Sequence, residues 1–220
     1  MKQRSSEPRP SVFIIDDDAD VREGLGSLLR SVGFQTQLFS SVADFLKADL
    51  PEGPTCLVSD VRMPGQSGLE LQSELSSRAR RQLPIIFITA HGDIPMSVRA
   101  MKGGAIEFLT KPFRDQDLLD AIAEGHARDL ARLNSERELS ELELRYHGLT
   151  AREREVMSGV VSGRLNKQIA ADLGITEITV KVHRGRVMRK MRASSLPELA
   201  RMSDKLQIPL AKLARERRAL

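Results

Sequence analysis

The chain contains 220 residues, of which 40% are hydrophobic and 29% charged, and this balance builds an apolar core and excludes wholesale disorder. The length suits two domains better than one. The single cysteine, Cys56, excludes an internal disulfide and a multi-cysteine zinc site, and with no tryptophan and one tyrosine, stacking on bases is disfavoured. The first residues lack an apolar segment that would act as a signal or an anchor, which predicts a cytoplasmic protein with no membrane partner.

Charge is distributed unevenly along the chain. Residues 1–125 hold 14 Lys and Arg against 18 Asp and Glu, and residues 126–148 hold 4 against 5, whereas residues 149–220 hold 16 against 7. The C-terminal third is therefore the basic part of the chain. This asymmetry indicates that the C-terminal part meets a polyanion, and a merely solvated basic face is the alternative.

Five short apolar runs alternate with helical patterns in the first 125 residues. The runs, each expected to form a buried strand, cover residues 11–15, 34–39, 55–58, 84–89 and 105–110. The helical patterns cover residues 21–33, 42–50, 67–80 and 93–102, the last with Asp93 as N-cap and Pro95 in its first turn. This alternation predicts an α/β domain with a doubly wound, flavodoxin-like sheet of five parallel strands, and functional groups belong at the carboxyl ends of such strands.

Four strand ends carry residues suited to one chemistry. Three aspartates, residues 16–18, follow strand 1, Asp60 follows strand 3, Thr89 ends strand 4 and Lys111 follows strand 5. Clustered carboxylates repel one another unless a hard cation neutralises them, so the pattern predicts a Mg²⁺ site. A carboxylate beside Mg²⁺ can attack a phosphoryl group, while Lys111 and Thr89 bind phosphoryl oxygens. Helix capping is the alternative for Asp18 or Asp20.

The segments FIIDDDADVRE, LVSDVRMPGQSGLEL and PIIFITAHGDIPMSVRAMKGGAIEFLTKPF resemble the receiver domain of two-component response regulators. The resemblance implies that Asp60 accepts phosphate from a sensor histidine kinase. It also implies that Asp16, Asp17, Asp60 and the backbone carbonyl of Arg62 bind Mg²⁺, and that Thr89 and Lys111 are the switch hydroxyl and lysine.

Three further expectations come from the same resemblance. The aromatic switch position is Phe108, which lacks the hydroxyl of the tyrosine that is common there. The Lys111–Pro112 bond is expected to be cis. Arg62 and His91 lie two residues beyond Asp60 and Thr89, at positions that tune the lifetime of the phosphate, although both are equally well explained as ordinary exposed residues.

Residues 115–145 lack proline and place leucines among many charges, which predicts one long helix. Gly125 weakens this helix by about 1 kcal/mol relative to alanine. We expect a solvated strut, and because the leucine spacing does not keep a strict heptad, a coiled coil is the less favoured alternative.

The basic part has the pattern of a helix-turn-helix. Thr150 and Glu153 form a capping box, Asn166 is expected to cap a second helix, and Gly174 makes the turn before a third helix capped by Thr176. Val180, Val187 and Met191 form the predicted buried stripe of the third helix. A fourth helix starts with a capping box of Ser195 and Glu198, contains Pro197 in its first turn and reaches about residue 206.

The third helix is expected to enter the major groove of DNA, with Lys181 and Val182 at base edges and basic side chains on phosphates. Gly185 allows close approach to the groove or is a tolerated exposed glycine. Membrane-surface binding is disfavoured because Val180 and Val187 are committed to a core. The expected DNA-binding residues are Thr176, Thr179, Lys181, Val182, Arg184, Gly185, Arg186, Arg189 and Lys167.

The run LTAREREVMSGVVSGRLNKQIAADLGITEITVKVHRGRVMRKM resembles the LuxR-type helix-turn-helix, and its pairing with a receiver is typical of NarL/FixJ-type response regulators. The expected organisation is a receiver at 10–125, a helical linker at 126–147, an all-α four-helix DNA-binding domain at 148–206 and a tail at 207–220. The tail is a short helix, a phosphate contact or a disordered segment.

The resemblance implies a non-enzymatic transcription factor that forms a homodimer on phosphorylation and binds promoter DNA, with RNA polymerase as a further partner. Activation follows from dimerisation or from unmasking of the DNA-binding domain. Two alternatives remain. One is a receiver-like DNA-binding regulator that works without phosphorylation, and the other is a phosphatase of the haloacid dehalogenase type that uses Asp16 and Asp18.

Overall fold

The computed structural model describes residues 10–51, 53–77 and 82–208. The chain divides into two compact units, one up to Leu133 and one from Asn134 onward. The predicted tail lies outside the described residues from Pro209 onward. None of the helices in the described part of the chain is long and apolar enough to cross a membrane.

The first unit is a five-stranded parallel sheet in the order β2-β1-β3-β4-β5. The strands are β1 (Ser11–Ile15), β2 (Gln35–Phe39), β3 (Thr55–Asp60), β4 (Ile85–Thr89) and β5 (Glu107–Thr110). The helices are α1 (Ala19–Ser31), α2 (Val42–Phe45), α3 (Gly68–Ser77) and α4 (Ile94–Lys102), while α5 (Asp115–His147) begins in this unit and extends past Leu133. The predicted doubly wound sheet and the single long helix from residue 115 are confirmed.

Strands β1, β3 and β4 are buried and read as continuous apolar runs because both faces of the sheet are covered. Phe13, Leu57 and Phe87 belong to the core on one face, whereas Val12 and Ile86 belong to the core on the other. The alternation of side chains along each strand therefore supplies two separate cores. The register pairs Ile15 with Ser59 and Asp60 with Ile88, which brings the acidic strand ends to one edge.

Helix α2 is shorter than the sequence predicts. The pattern indicated a helix to residue 50, but α2 ends at Phe45 and Leu46 is its C-cap. Leu46 and Leu50 pack against the core from the connection that follows the helix. Pro51 also disfavours helical backbone at the residue before it. Helix α3 is described as far as Ser77, and the last predicted residues of that helix fall outside the described part.

The second unit contains α6 (Ala151–Val161), α7 (Asn166–Leu173), α8 (Glu177–Met191) and α9 (Leu196–Lys205). The predicted stripe of α8 is buried, with Val180, Val187 and Met191 at most 1% exposed. Gly174 adopts φ 64° in the turn between α7 and α8, a left-handed conformation that glycine reaches without strain. Thr176 then caps α8 by accepting from the amide of Thr179.

Two predicted caps differ in detail. Asn166 is the first residue of α7 and not its cap, because Leu165 has the extended backbone of the cap and its amide donates to Gln168 Oε1. Asn166 accepts instead from Arg184 of α8. At α9, Ser195 caps as predicted, and the Glu198 carboxylate accepts from the Ser194 amide at 2.8 Å, one residue before the cap. The box of Thr150 and Glu153 is complete, as predicted.

Candidate functional site

Three carboxylates meet at the carboxyl edge of the sheet. Asp16 follows β1, Asp60 ends β3, and one oxygen from each of Asp16, Asp17 and Asp60 lies within 4.8 Å of the others. Asp16 is fully buried, Asp17 is exposed and Asp60 is half-buried. The parallel topology brings these residues together although 44 positions separate the first from the last.

Lys111 supplies the positive charge of this cluster. Its Nζ lies 2.8 Å from Asp16 Oδ2 and 3.9 Å from Asp60 Oδ2. The Lys111 amide donates to the Thr89 carbonyl at 2.8 Å, which fixes the backbone of the lysine at the end of β4. The Lys111–Pro112 bond is cis, as predicted.

Asp60 is held by the turn that follows its strand. The Val61 amide donates to Asp60 Oδ1 at 2.7 Å, which leaves the side chain oriented toward the cluster. Burial raises the pKa of Asp60 above its ordinary value, while the Lys111 ammonium lowers that pKa and the Asp16 charge raises it further. A cation beside the cluster would oppose the effect of burial.

A close backbone contact positions the loop after Asp60. A Cβ atom added to Gly68 would lie 2.4 Å from the Asp60 carbonyl oxygen, and the Gly68 amide donates to the Val61 carbonyl at 3.1 Å. Only glycine permits this approach of α3 to the end of β3. The sequence analysis did not identify Gly68, and its place at the predicted start of α3 was the available signal.

The remaining predicted receiver residues belong to β4, β5 and the loops that follow β3 and β4. Thr89 is 1% exposed and its hydroxyl accepts from the His91 amide at 3.3 Å. Phe108 is half-buried, with its ring 6.5 Å from that of Phe87. Arg62 is exposed two residues beyond Asp60.

Asp18 has the capping role that was the alternative for it. Its Oδ1 accepts from the amides of Asp20 and Val21 at the start of α1. The Asp18 amide in turn donates to Asp16 Oδ1 at 2.9 Å. The phosphatase alternative required Asp18 as a catalytic partner of Asp16, and the structure engages Asp18 in the helix cap.

The residues of the cluster fit a hard divalent cation. Their donor atoms are carboxylate oxygens, and the fully buried Asp16 carries a charge that Lys111 offsets within the described residues. Oxygen ligands of this kind suit Mg²⁺ with several retained waters. Asp16, Asp17 and Asp60 are therefore the residues that would hold it, together with the predicted carbonyl of Arg62.

The second unit presents a basic helix. On α8 the side chains of Lys181, Val182, Arg186 and Arg189 are exposed, as is Gly185. Exposed Lys167 on α7 adds a further charge. On α8, Val182, Gly185, Arg186 and Arg189 lie opposite the buried stripe. This outer face of α8 can therefore enter a DNA groove.

Other predicted contact residues have partners inside the unit. Arg184 is half-buried and donates to Asn166 Oδ1 at 3.2 Å, and the hydroxyl groups of Thr176 and Thr179 are 2.9 Å apart. Lys190 of α8 donates to the buried Glu153 carboxylate at 2.7 Å. Lys190 therefore joins α8 to α6.

Two family models match the chain. Residues 12–123 match the response regulator receiver domain, and residues 147–203 match the bacterial regulatory proteins of the luxR family. The chain belongs to the response regulator family. It combines a receiver with a LuxR-type DNA-binding domain, as the sequence predicted, and it is therefore a response regulator transcription factor.

Relatives with both domains cover most of the chain. Nodulation protein W of Bradyrhizobium diazoefficiens is 52% identical over 90% of this chain and 86% of its own length, and the transcriptional regulatory protein FixJ of Azorhizobium caulinodans is 47% identical over 87% and 90%. The solved response regulator StyR is 50% identical, with a TM-score of 0.79 over 90% of this chain and all of its own. Full-length FixJ from B. japonicum is 41% identical, with a TM-score of 0.53 over 90% and 97%.

The sequence analysis missed two buried polar residues of α5. His126 and Asp129 fall in the predicted linker, yet both are buried in the first unit. His126 Nε2 lies 2.9 Å from the Ser11 carbonyl oxygen, and the Thr55 amide donates to Asp129 Oδ2 at 2.9 Å. Burial lowers the pKa of His126. These bonds join α5 to the amino ends of β1 and β3.

Proposed function

We propose that Asp60 is the phosphoacceptor of this response regulator and that a sensor histidine kinase is the donor. An oxygen of the Asp60 carboxylate forms a bond to phosphorus while the bond between phosphorus and the donor imidazole breaks. The observation that carries this proposal is the cluster of Asp16, Asp17 and Asp60 with the Lys111 ammonium at the same sheet edge. This phosphoryl transfer serves signalling, so we propose no separate enzymatic activity for the chain.

Mg²⁺ is the proposed cofactor of the transfer. Asp16, Asp17, Asp60 and the Arg62 carbonyl would hold it, and when bound it supplies charge neutralisation at the phosphoryl oxygens. Lys111 adds a fixed positive charge beside the acceptor. Half-burial of Asp60 excludes part of the surrounding water, which strengthens these electrostatic interactions.

We infer that phosphorylation shifts the receiver between two conformations. A phosphoryl group adds negative charge at Asp60, and this charge attracts the Lys111 ammonium and the Thr89 hydroxyl. Phe108 lies on β5 within reach of that change and serves as the aromatic switch. The shifted receiver pairs with its twin and forms the homodimer.

Pairing sets two copies of α8 on two half-sites of promoter DNA, roughly one helical turn apart. Lys181 and Val182 meet base edges, and Lys167, Arg186 and Arg189 contact phosphates. Contact with RNA polymerase at the promoter follows from this role, and chromosomal DNA as the target places the protein in the cytoplasm.

The phosphoacceptor is tested with a small-molecule phosphodonor and Mg²⁺ on the full-length protein. Intact mass should rise by one phosphoryl group in the wild type and in Asp49→Asn, which changes an exposed aspartate outside the cluster. Asp60→Asn should gain none. Equal phosphorylation of Asp60→Asn would overturn the assignment, and loss in Asp49→Asn would show that the assay does not report the site.

A further inference from the structure

The outer face of helix α8 has an apolar centre. Ile178, Val182 and Gly185 are spaced i, i+4 and i+7, so they lie within an arc of about 60° on the helix surface. Val180 and Val187 occupy the opposite, buried side. Ile178 is 74% exposed and Val182 is 48% exposed. A stripe without donors or acceptors therefore faces outward along the helix.

Packing within the second unit does not account for this stripe. A Cβ atom added to Gly185 would meet no atom of the described residues within 4 Å, so their packing does not require glycine there. The exposed Ile178 side chain contributes little to the cores of the unit, which are built from other residues. An exposed isoleucine, an exposed valine and a bare backbone on one helix face form an apolar surface that is available to a ligand outside the chain.

The polar groups nearest the stripe restrict what it can bind. The Thr176 and Thr179 hydroxyls lie 2.9 Å apart, and Thr176 also caps the helix. Arg184 donates to Asn166. Lys181 flanks the stripe as an exposed cation. Hydrogen-bonding capacity thus lies at the edge of the surface, and its centre can recognise only an apolar group.

The charge around the stripe selects its occupant. Exposed Lys181, Arg186 and Arg189 surround it on α8, and they complement the phosphates that line a DNA groove. Within the major groove, the apolar group on a base edge is the C5-methyl group of thymine. A second protein chain would have to neutralise these cations with acidic residues of its own.

We propose that Ile178 is a specificity-determining residue that packs on a thymine C5-methyl group in each half-site. The inference deepens the DNA-binding role of this domain. Val182 extends the apolar contact along the groove, and Gly185 lets the α8 backbone lie close to the DNA. Discrimination rests on van der Waals contact with the methyl group, so uracil, which has the same hydrogen-bonding edge without the methyl group, is bound less well.

The test removes single methyl groups from DNA. Full-length protein with a phosphodonor and Mg²⁺ enriches duplexes from a random library, and the enriched duplex is resynthesised with each thymidine replaced in turn by deoxyuridine. At one thymine of each half-site the wild type should lose about fourfold in affinity, the value expected for one buried methyl group of ~0.8 kcal/mol. Ile178→Ser should bind both duplexes equally at that position, because serine has a helix propensity similar to that of isoleucine and keeps α8 folded.

Two controls make the result specific. Leu144→Ser removes a leucine that is 70% exposed on α5, and it should keep the wild-type preference for thymine. Ile178→Val should keep most of that preference. The proposal is overturned if Ile178→Ser retains the full thymine preference, if the wild type shows no position with a penalty for deoxyuridine, or if Ile178→Ser changes only the oligomeric state.

Discussion

The ammonium group of Lys111 lies 2.8 Å from Asp16 and 3.9 Å from Asp60, so its closer partner is the buried acid and not the proposed phosphoacceptor. Asp16 has no exposed surface, whereas the Lys111 side chain keeps 20% of its own. Burying a carboxylate without a partner is costly. Lys111 therefore stabilises the folded receiver in addition to the role that we propose for it beside the phosphoryl group.

Lys111→Met should destabilise the receiver by about 3 kcal/mol, because it leaves the Asp16 charge buried and unpaired. Mg²⁺ should restore part of this loss, since the cation takes over the neutralisation of Asp16. Calorimetric unfolding with and without Mg²⁺ measures both effects. Lys47→Met is the matched control: loss of its exposed pair with Asp44 should have little effect on stability and show no Mg²⁺ rescue. Equal losses in the two variants would contradict this account of Lys111.

Gly125→Ala should destabilise the first unit, although alanine normally favours a helix by about 1 kcal/mol. The added Cβ would lie 2.7 Å from Cys56 Sγ, and overpacking of this kind costs about 1–3 kcal/mol. Cys56 is fully buried, so it has little room to move. In a Cys56→Ala background the obstructing sulfur is gone, and the same change should stabilise by about 1 kcal/mol. Urea unfolding followed by circular dichroism measures the stability of the wild type, the two single variants and the double variant. If Gly125→Ala changes stability in the same direction with and without Cys56, the steric contact with the Cys56 sulfur is contradicted.

Gly185→Ala should separate folding from DNA binding. The added methyl group meets no atom of the part of the chain that the structure describes, so the helix should gain about 0.5–1 kcal/mol. Affinity for DNA should nevertheless fall, because the backbone can no longer lie as close to the groove. Gly24→Ala, at an equally open helical position in α1, should give the same gain in stability with unchanged DNA binding. Thermal unfolding and fluorescence anisotropy with the enriched duplex measure the two quantities. Unchanged DNA affinity in Gly185→Ala would contradict the proposed close approach of the α8 backbone to the groove.

The Glu153–Lys190 pair should make the second unit sensitive to acid. The hydrogen bond from Lys190 lowers the pKa of Glu153, while burial opposes it. Because the pKa in the folded protein lies below the unfolded value of about 4.3, the ionised carboxylate contributes stability above that pH. This contribution is lost as the pH falls through the lower pKa of the folded state.

Glu153→Gln should therefore lower the stability of the second unit by about 1–2 kcal/mol at neutral pH and flatten its decline below about pH 5. The fluorescence of Tyr146, the one tyrosine of the chain, reports this unit because the ring packs against its core. Glu155→Gln breaks an exposed pair with Arg152 and should have little effect. A pH profile of Glu153→Gln with the wild-type slope would argue against the pair.

Much of the acidic site follows from the sequence because the ends of buried parallel strands can be located from local patterns. Buried parallel strands read as apolar runs, and whatever follows each run must lie at one edge of the sheet. The residues at the strand ends can therefore be assigned to that edge from the sequence alone, and these are Asp16, Asp60, Thr89 and Lys111. The cap of α8 at Thr176 is equally local, since it depends on residues three positions apart.

The missed features depend on contacts between distant segments. Asp129 has the charge of a linker residue, yet it is buried, pairs with Arg132 and accepts from the Thr55 amide, 74 positions away. Gly125 was expected to weaken α5, but it allows that helix to approach Cys56. Asn166 is a residue type that is common at helix N-caps, yet Leu165 is the cap of α7 and its amide donates to Gln168. Asn166 instead accepts a hydrogen bond from Arg184. No periodicity encodes such pairings.

The most direct test of the central claim joins the receiver to its output. Host genomic fragments retained by the full-length protein are sequenced with and without a phosphodonor and Mg²⁺, for the wild type and for Asp60→Asn. The account predicts that fragments with two related half-sites are enriched only for the wild type and only with the phosphodonor. The same enrichment by Asp60→Asn, or by the wild type without the phosphodonor, would show that DNA binding does not depend on phosphorylation of Asp60.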